Sequence, residues 1–499
     1  MKIWMTLNII FAFALLSVFE VCAQDKKPLN ILLFTADDLD KKTLGCYGGK
    51  VEDISPNIDK FASEGLMFNH AYVNNSICTP SRGILATGLY GHNSGIMGFM
   101  KMPPDRKTPL IMEVMRQHGY QLGILSKVDH STPKETFKWD FVNTHDQLGY
   151  GRNPDLYYEK AKDFFAMAKD AGKPFYFMVN SDDPHRPFFV PGEELKGGMA
   201  EPSRIYTPEE IEVPGFLPDL PDVRRELSYY YNSAKRLDDT FGKVMQALEE
   251  SGYKDNTLVI FMSDNGIALP FAKCDNYDAS SRTPWIVRWP GVIKEGTIND
   301  EHLISEVDFY PTILDATGIK TSEKPDGKSR LALYRGETQQ NDAIVFTQID
   351  NKSGGTPMPM RSNASPMRSV QTLDYIYIFN AWAYTNVIHY TNNEGITMKA
   401  MEEAAQSNEE IKNRVNSFRK RPPEEFYNIK EDPDCLNNYI SDPKYSGEIQ
   451  KMRNELEKWM KKYTDPLLAV YKNRNDVDKT RERLYELYPE LEKVDDTNK

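Results

Sequence analysis

A cysteine, a proline and an arginine open the stretch of this chain with the most chemistry in it. Ser76 to Asn93 reads S-I-C-T-P-S-R-G-I-L-A-T-G-L-Y-G-H-N, which puts Cys78 two residues before Pro80 and four before Arg82. Pro80 marks a helix start, because its missing N–H costs nothing in the first turn and its φ is already helical. Cys78 then lies beside a helix N-terminus, where free amides and the dipole favour an anion. Arg82 follows one turn later and can hydrogen-bond back to whatever occupies position 78. Taken alone, the stretch describes a buried cysteine ahead of a capped helix equally well.

Four apolar runs elsewhere end in residues that bind or transfer charge. Leu29 to Phe34 leads into Thr35-Ala36-Asp37-Asp38, and Gln121 to Ser126 into Lys127-Val128-Asp129-His130. Phe175 to Asn180 leads into Ser181-Asp182-Asp183-Pro184-His185-Arg186, and Thr257 to Met262 into Ser263-Asp264-Asn265-Gly266. Asp37, Asp38, Asp264 and Asn265 offer hard oxygen donors, which suit Ca²⁺ or Mg²⁺ rather than zinc. One such pair is ordinarily a solvated loop. Two pairs after two buried runs, with the cysteine stretch between them, point to one shared metal site.

The elements that must position these groups can be read from the pattern. Short continuous apolar runs are strands buried on both faces of a parallel sheet. Met67 to Tyr72 reads as a further strand delivering the chain to Cys78. Helices start at Ser55-Pro56 and Thr108-Pro109, and a long one covers about 222–250. Strands alternating with helices predict an α/β domain with a mostly parallel sheet, whose ligands bind beyond the carboxyl ends of the strands. From about residue 343 the texture changes. A Ser/Gly/Pro-rich stretch over 351–366 reads as a loop, followed by strands at Met367 to Gln371 and Tyr375 to Asn380 and helices at 396–417 and 445–462. The expected organisation is a signal peptide over 1–23, a catalytic domain over 24–345, an α+β subdomain over 346–473 and a charged tail over 474–499.

C-T-P-S-R followed by L-A-T-G resembles the signature of the type I sulfatases, in which this cysteine is oxidised to Cα-formylglycine. S-P-N-I-D-K-F-A-S-E-G, R-L-D-D, S-D-N-G, V-D-F-Y-P-T-I-L-D and E-F-Y-N-I-K-E-D-P-D resemble further sulfatase landmarks, so the likeness covers nearly the whole chain after residue 23. It implies an alkaline-phosphatase-like sandwich with a mostly parallel central sheet, and a smaller C-terminal domain with an antiparallel sheet. It also implies metal ligands at Asp37, Asp38, Asp264 and Asn265, with the formylglycine oxygen at position 78 completing the shell around Ca²⁺ (Mg²⁺ is possible). A hydrated aldehyde offers two hydroxyls: one attacks sulfur, and the other collapses to expel sulfate. A metal lowers the hydroxyl pKa and neutralises sulfate oxygens.

By the same resemblance, Arg82 belongs to the catalytic set, Lys127 and Lys273 grip sulfate, and His185 protonates the leaving group. The family order K-x-H is K-V-D-H here, so His130 and Asp129 both stay open for the neighbouring role. D-P-H-R, S-D-N-G-I-x-x-P and P-M-R-S-V resemble the heparan N-sulfatase branch most. Asp183, Arg186 and Arg368 are the expected substrate contacts. The expected reaction is removal of the N-sulfate of a terminal glucosamine in heparan or heparin. Alternatives are an exo-acting O-sulfatase on an amino sugar, a phosphonate monoester or phosphodiester hydrolase, and a non-catalytic glycan-binding relative in which Cys78 stays unmodified.

Composition narrows the partners. A net charge of −12 over 499 residues argues against nucleic acid and shows no polybasic membrane patch. An acidic protein acting on an anionic substrate must concentrate positive charge locally. Lys2, the apolar run Ile3 to Phe19 and Val21-Cys22-Ala23 read as a secretory signal cleaved after Ala23, since Glu20 and Val21 fit a lipobox at Cys22 poorly. No later run is apolar enough to span a membrane. Cys46, Cys78, Cys274 and Cys435 are too few for a disulfide framework. The expectation is an exported protein, periplasmic or secreted, whose partners are a sulfated saccharide and a formylglycine-generating maturation enzyme.

Overall fold

The computed structural model describes residues 28–497, apart from 99–101, 104–105, 107, 134–135, 341–342, 351–363 and 392–393. The signal expected over 1–23, Cys22 with it, and most of the 351–366 loop lie outside the described residues.

A sheet of eight strands carries the larger part of the chain. In chain order they are β1 (Asn30–Asp37), β2 (Leu66–Phe68), β3 (Gln121–Leu125), β4 (Phe141–Asn143), β5 (Phe175–Pro184), β6 (Thr257–Ser263), β7 (Trp285–Arg288) and β8 (Thr297–Asn299). Their spatial order is β4-β3-β5-β1-β6-β7-β2-β8. All neighbours pair in parallel except at β7, which runs against both β6 and β2. The five parallel strands from β4 to β6 therefore end on one edge, where the polar residues follow.

Alternation along β1 explains why its run is continuously apolar. Leu32, Phe34 and Ala36 enter one core with the helices Pro154–Ala171 and Pro221–Glu250. Ile31 and Leu33 enter the core on the other face, with helices Ile111–Gln117 and Phe309–Thr317. Successive strand side chains point to opposite faces, so a strand covered on both sides has no polar position to spare.

A second, antiparallel sheet follows: β9 (Val345–Ile349), β10 (Met367–Gln371), β11 (Tyr375–Asn380) and β12 (Glu424–Asn428), in that order. Helix Ser446–Lys462 covers this sheet through Ile449, Met452, Leu456 and Trp459. The charge-rich end read as a tail is helical over Val477–Leu487 and Pro489–Thr497, and Leu484, Tyr488 and Leu491 are buried in the same core. Its apolar residues recur at helical spacing among the charges, so the stretch has a face to bury. Among the described residues, no helix is long and apolar enough to cross a membrane.

Candidate active site

β1 and β6 lie side by side and deliver their last residues together. Asp37 closes β1, and Asp38 turns the chain with a left-handed φ of 70°. Past β6, Asp264 Oδ1 accepts the Asp38 amide (3.2 Å), and Asn265 Nδ2 donates to Asp38 Oδ1 (2.7 Å). All four side chains are fully buried. Among the described residues, Asp37 Oδ1, Asp38 Oδ2 and Asn265 Oδ1 accept no hydrogen bond. Buried polar atoms ordinarily have partners, and three oxygens left over at one place are the donor set of a hard cation. Asp37, Asp38 and His185 each bring a possible ligand atom within 4.8 Å of one another. The residues fit a divalent metal of the calcium or magnesium kind.

Cys78 opens the helix Cys78–Thr87, with Ile77 as its extended N-cap. The helix therefore starts two residues earlier than Pro80 suggested, and Pro80 takes its third position. The first amides of a helix have no intrahelical partner, so proline is tolerated there too. Cys78 is 2% exposed. Burial outweighs the pull of Lys273 and pushes its thiol up to about 11, so the unmodified side chain is a neutral thiol at ordinary pH.

Arg82, one turn on, ties three strands together. Its Nη1 donates to Thr35 Oγ1 (2.8 Å) and Asn180 Oδ1 (2.6 Å), and its Nη2 to Asp264 Oδ2 (2.7 Å). Ser81 anchors the same helix to the buried Glu306 carboxyl, which also accepts the Asn74 amide at 3.1 Å.

Two lysines complete the cluster. Ser126 and Lys127 both adopt positive φ (55° and 50°) after β3, which turns the Lys127 ammonium onto Asp37, with Asp182 at 3.5 Å. Lys273, followed by Cys274 at φ 59°, pairs with Asp38. Burial would lower both ammonium groups, but Asp37 and Asp182 around Lys127, and Asp38 beside Lys273, outweigh it and hold both well above the usual lysine value.

His185 Nδ1 lies 2.5 Å from the Arg186 carbonyl oxygen, and its Nε2 lies 3.8 Å from Asp38 Oδ2. A carbonyl only accepts, so Nδ1 carries the proton of that bond and Nε2 is the atom turned to the site. His130 follows Lys127 on the short helix Val128–Ser131. Burial first, then Lys127 and Arg82, lower its imidazole to about 4, and its Nδ1 has no hydrogen-bond partner among the described residues.

Of the three expected substrate contacts, Asp183 and Arg368 are buried in ion pairs, whereas Arg186 is half-buried and its Nη2 has no hydrogen-bond partner among the described residues. Asp183 is fully buried and accepts two bonds from Arg236 (2.7 and 2.9 Å) and one from Arg152 (3.3 Å). Arg368 is likewise fully buried, between Asp465 (2.5 and 3.0 Å) and Asp350 (3.1 Å). Both are structural ion pairs. Arg186 donates to Glu226 (2.6 Å) and to the Ala268 carbonyl (3.0 Å), and Glu226 in turn accepts the Ile396 and Thr397 amides at the start of helix Gly395–Ala404. Arg186 and Glu226 thus fasten helix Gly395–Ala404, whose Met398 and Met401 enter the core of the large sheet, to helix Pro221–Glu250. Three residues of the site were not singled out from the sequence: Thr35, Asn180 and Asp182. Asn180 also donates to the Leu125 and Ser126 carbonyls (3.0 and 3.2 Å), and Asp182 accepts from Ser126 Oγ (2.8 Å).

A mostly parallel sheet with buried carboxylates, a helix-borne cysteine and fixed cations at its carboxyl edge defines a hydrolase of the alkaline-phosphatase-like fold. Residues 29–319 match the family model for sulfatases, and the chain belongs to the sulfatase family. It is 28% identical over 488 residues to human N-sulphoglucosamine sulphohydrolase, covering 92% of this chain and 94% of that protein. A protein solved in complex with its substrate D-glucosamine-2-N,6-O-disulfate superposes with a TM-score of 0.65 at 19% identity, over 88% of this chain and 99% of that one. The phosphonate monoester hydrolase of Agrobacterium radiobacter superposes with a TM-score of 0.63 at 17% identity, over 87% and 96%.

Proposed function

We propose that this sulfatase is an exported enzyme that removes sulfate from a glycosaminoglycan sugar, and that the bond it cleaves is the N-sulfate of a terminal glucosamine. The observation that carries the reading is the buried cluster of Asp37, Asp38, Asp264 and Asn265 around Cys78, with the unpaired oxygens described above. The likeness to human N-sulphoglucosamine sulphohydrolase along almost all of both chains supports the choice of bond.

Ca²⁺ would be held by these four side chains, with position 78, as formylglycine, completing the shell. When bound, the ion supplies positive charge that lowers the pKa of a coordinated hydroxyl and stabilises sulfate oxygens. Position 78, once converted to formylglycine, would supply the oxygen nucleophile that the buried, neutral thiol does not. Lys127, paired with Asp37, and Lys273, paired with Asp38, stay protonated and bind the sulfate oxygens. Arg82 holds Asp264 still by a fixed fork. His185 holds a proton on Nδ1, and when protonated at Nε2 as well it delivers that second proton to the departing nitrogen or oxygen. His130, neutral above about pH 4, offers a hydrogen-bond acceptor to the leaving group.

The deciding experiment compares sulfate release by matured protein from N-sulfated, 6-O-sulfated and 3-O-sulfated glucosamine, with Cys78→Ala as control. Release from the N-sulfated sugar alone is expected. Release only from an O-sulfated sugar would leave the family and the metal site in place and refute the choice of bond. The structural likeness to a phosphonate monoester hydrolase favours one rival, so a phosphonate monoester belongs in the same panel, where faster turnover than any sulfated sugar would establish that reading.

A further inference from the structure

Strands β3 and β4 end beside a cavity of about 630 Å³, within the range of roughly 300–1,000 Å³ typical of small-ligand sites. Lys127, His130 and Asp182 form its border with the catalytic cluster; Cys78, Asp37, Asp38 and Asp264 do not line it. A sulfate held at position 78 therefore leaves this space to another part of the substrate.

The far wall is aromatic and apolar. Trp139 is half-buried and meets Phe137 edge to face, with ring centroids 5.2 Å apart. Its indole N–H donates to Thr132 Oγ1 (3.0 Å), and Phe137 is backed by the Arg116 guanidinium at 4.8 Å. The indole is thus fixed before any ligand arrives, and it sits beside Val142, which is 46% exposed. Polar groups stand on the rim: exposed Lys138 and Asp129, and His145, whose Nε2 lies 3.1 Å from Asp146 and whose Nδ1 lies 3.7 Å from Asp182. A fixed indole face rimmed by hydrogen-bonding side chains matches a pyranose, which has an apolar C–H face and a hydroxyl edge.

We propose that this cavity is a second saccharide subsite, which takes the sugar linked to the one that loses sulfate and stacks it on Trp139. The inference rests on the glycan reading above and adds a specificity residue to it. It makes the preferred substrate an oligosaccharide rather than a free monosaccharide.

The test uses the full chain with Cys78→Ala, so that nothing turns over, with Ca²⁺ present. Two probes are titrated by calorimetry and tryptophan fluorescence: N-sulfated glucosamine, and the disaccharide in which that sugar is linked to a hexuronate. The disaccharide should bind about 5–10-fold more tightly, the equivalent of one aromatic contact. Trp139→Ala should abolish that advantage and leave monosaccharide affinity unchanged. Trp139→Phe keeps a ring and covers the case in which the alanine variant does not fold; it should weaken the disaccharide alone. Equal losses for both probes would mean that the cavity holds the sulfated sugar itself, and no loss for either would mean that it is not a saccharide site. Either result overturns the proposal. Failure of both probes to bind the protein with Trp139 intact would instead refute the glycosaminoglycan reading, and the subsite with it.

Discussion

Each buried aspartate of the centre is matched by its own cation: Asp37 by Lys127, Asp38 by Lys273 and Asp264 by Arg82. Asp182 shares Lys127 at 3.5 Å, so four carboxylates face three cations and the set carries one formal negative charge, which a divalent ion would turn into one positive charge for sulfate to meet. This predicts opposite effects from one substitution. Lys273→Met should tighten Ca²⁺ binding, because Asp38 loses its competing cation, and should raise KM, because sulfate loses a partner; calcium titration and steady-state kinetics on the same preparation separate the two. His185 acts later in the reaction. His185→Ala should lower kcat by about 10²–10⁴-fold on a sugar sulfamate, the usual contribution of a general acid. On an aryl sulfate, whose phenolate leaves without a proton, the loss should be much smaller. An equal loss on both substrates would assign His185 to binding.

At the scale of elements, the site depends on where strands stop and how they turn. Asp38, Ser126, Lys127 and Cys274 all carry left-handed φ values close to the charged cluster. Non-glycine residues held in that region cost energy that the surrounding structure must supply, and they gather at functional sites. Arg82 is the brace, joining β1, β5 and the end of β6 through one planar fork. Lysine cannot reproduce that fork. Arg82→Lys should destabilise the fold by about 3–5 kcal/mol, the scale of a broken buried pair, and should weaken Ca²⁺ binding by about 10–100-fold through Asp264. Thermal melting and calcium titration would show both.

The same scale shows what could be read in advance. Buried strands ending in acidic pairs were legible, because a run apolar at every position has few alternatives, and so was the place of Cys78 at a helix start. Which acid of a pair faces the site was not. β5 continues to Pro184 instead of ending at Asn180, and alternation then sends Asp182 toward Ser126 and Lys127 but Asp183 toward Arg236. Thr35 and Asn180 carry no charge and sit inside apparently ordinary strand sequence, so no local signal marked them. Arg368 belonged to a motif, but only the fold shows Asp350 and Asp465 converging on it.

At the scale of the whole molecule, the C-terminal helices are part of the core around the antiparallel sheet. The Tyr488 hydroxyl donates to Asp350, the same carboxylate that holds Arg368. Removing residues 477–499 should therefore expose the core around Leu484 and Leu491 and lower the melting temperature, although no residue of the catalytic cluster is touched. Acid should act through His389 as well. His389 is buried against Trp382 and Phe418, and burial first, then Arg421 and Arg419, hold its imidazole well below 6.5. The unfolded chain then binds a proton that the folded chain refuses. This contribution to stability is present above about pH 6.5 and is lost as the pH falls below it. Urea midpoints at pH 7 and pH 5 should differ less in His389→Leu than in the natural chain.

The burial of Cys78 also sets an order in time. A side chain 2% exposed at the start of the helix it opens offers no purchase to a second protein. If this cysteine is converted to an aldehyde, the conversion has to come while the segment around Ser76 is still an open peptide. A chain that folds first is then a dead end rather than a dormant enzyme. Folded, unconverted protein given the maturation enzyme should remain inactive, with peptide mass spectrometry still showing a thiol. The same chain offered unfolded should acquire the aldehyde and, once refolded with calcium, release sulfate.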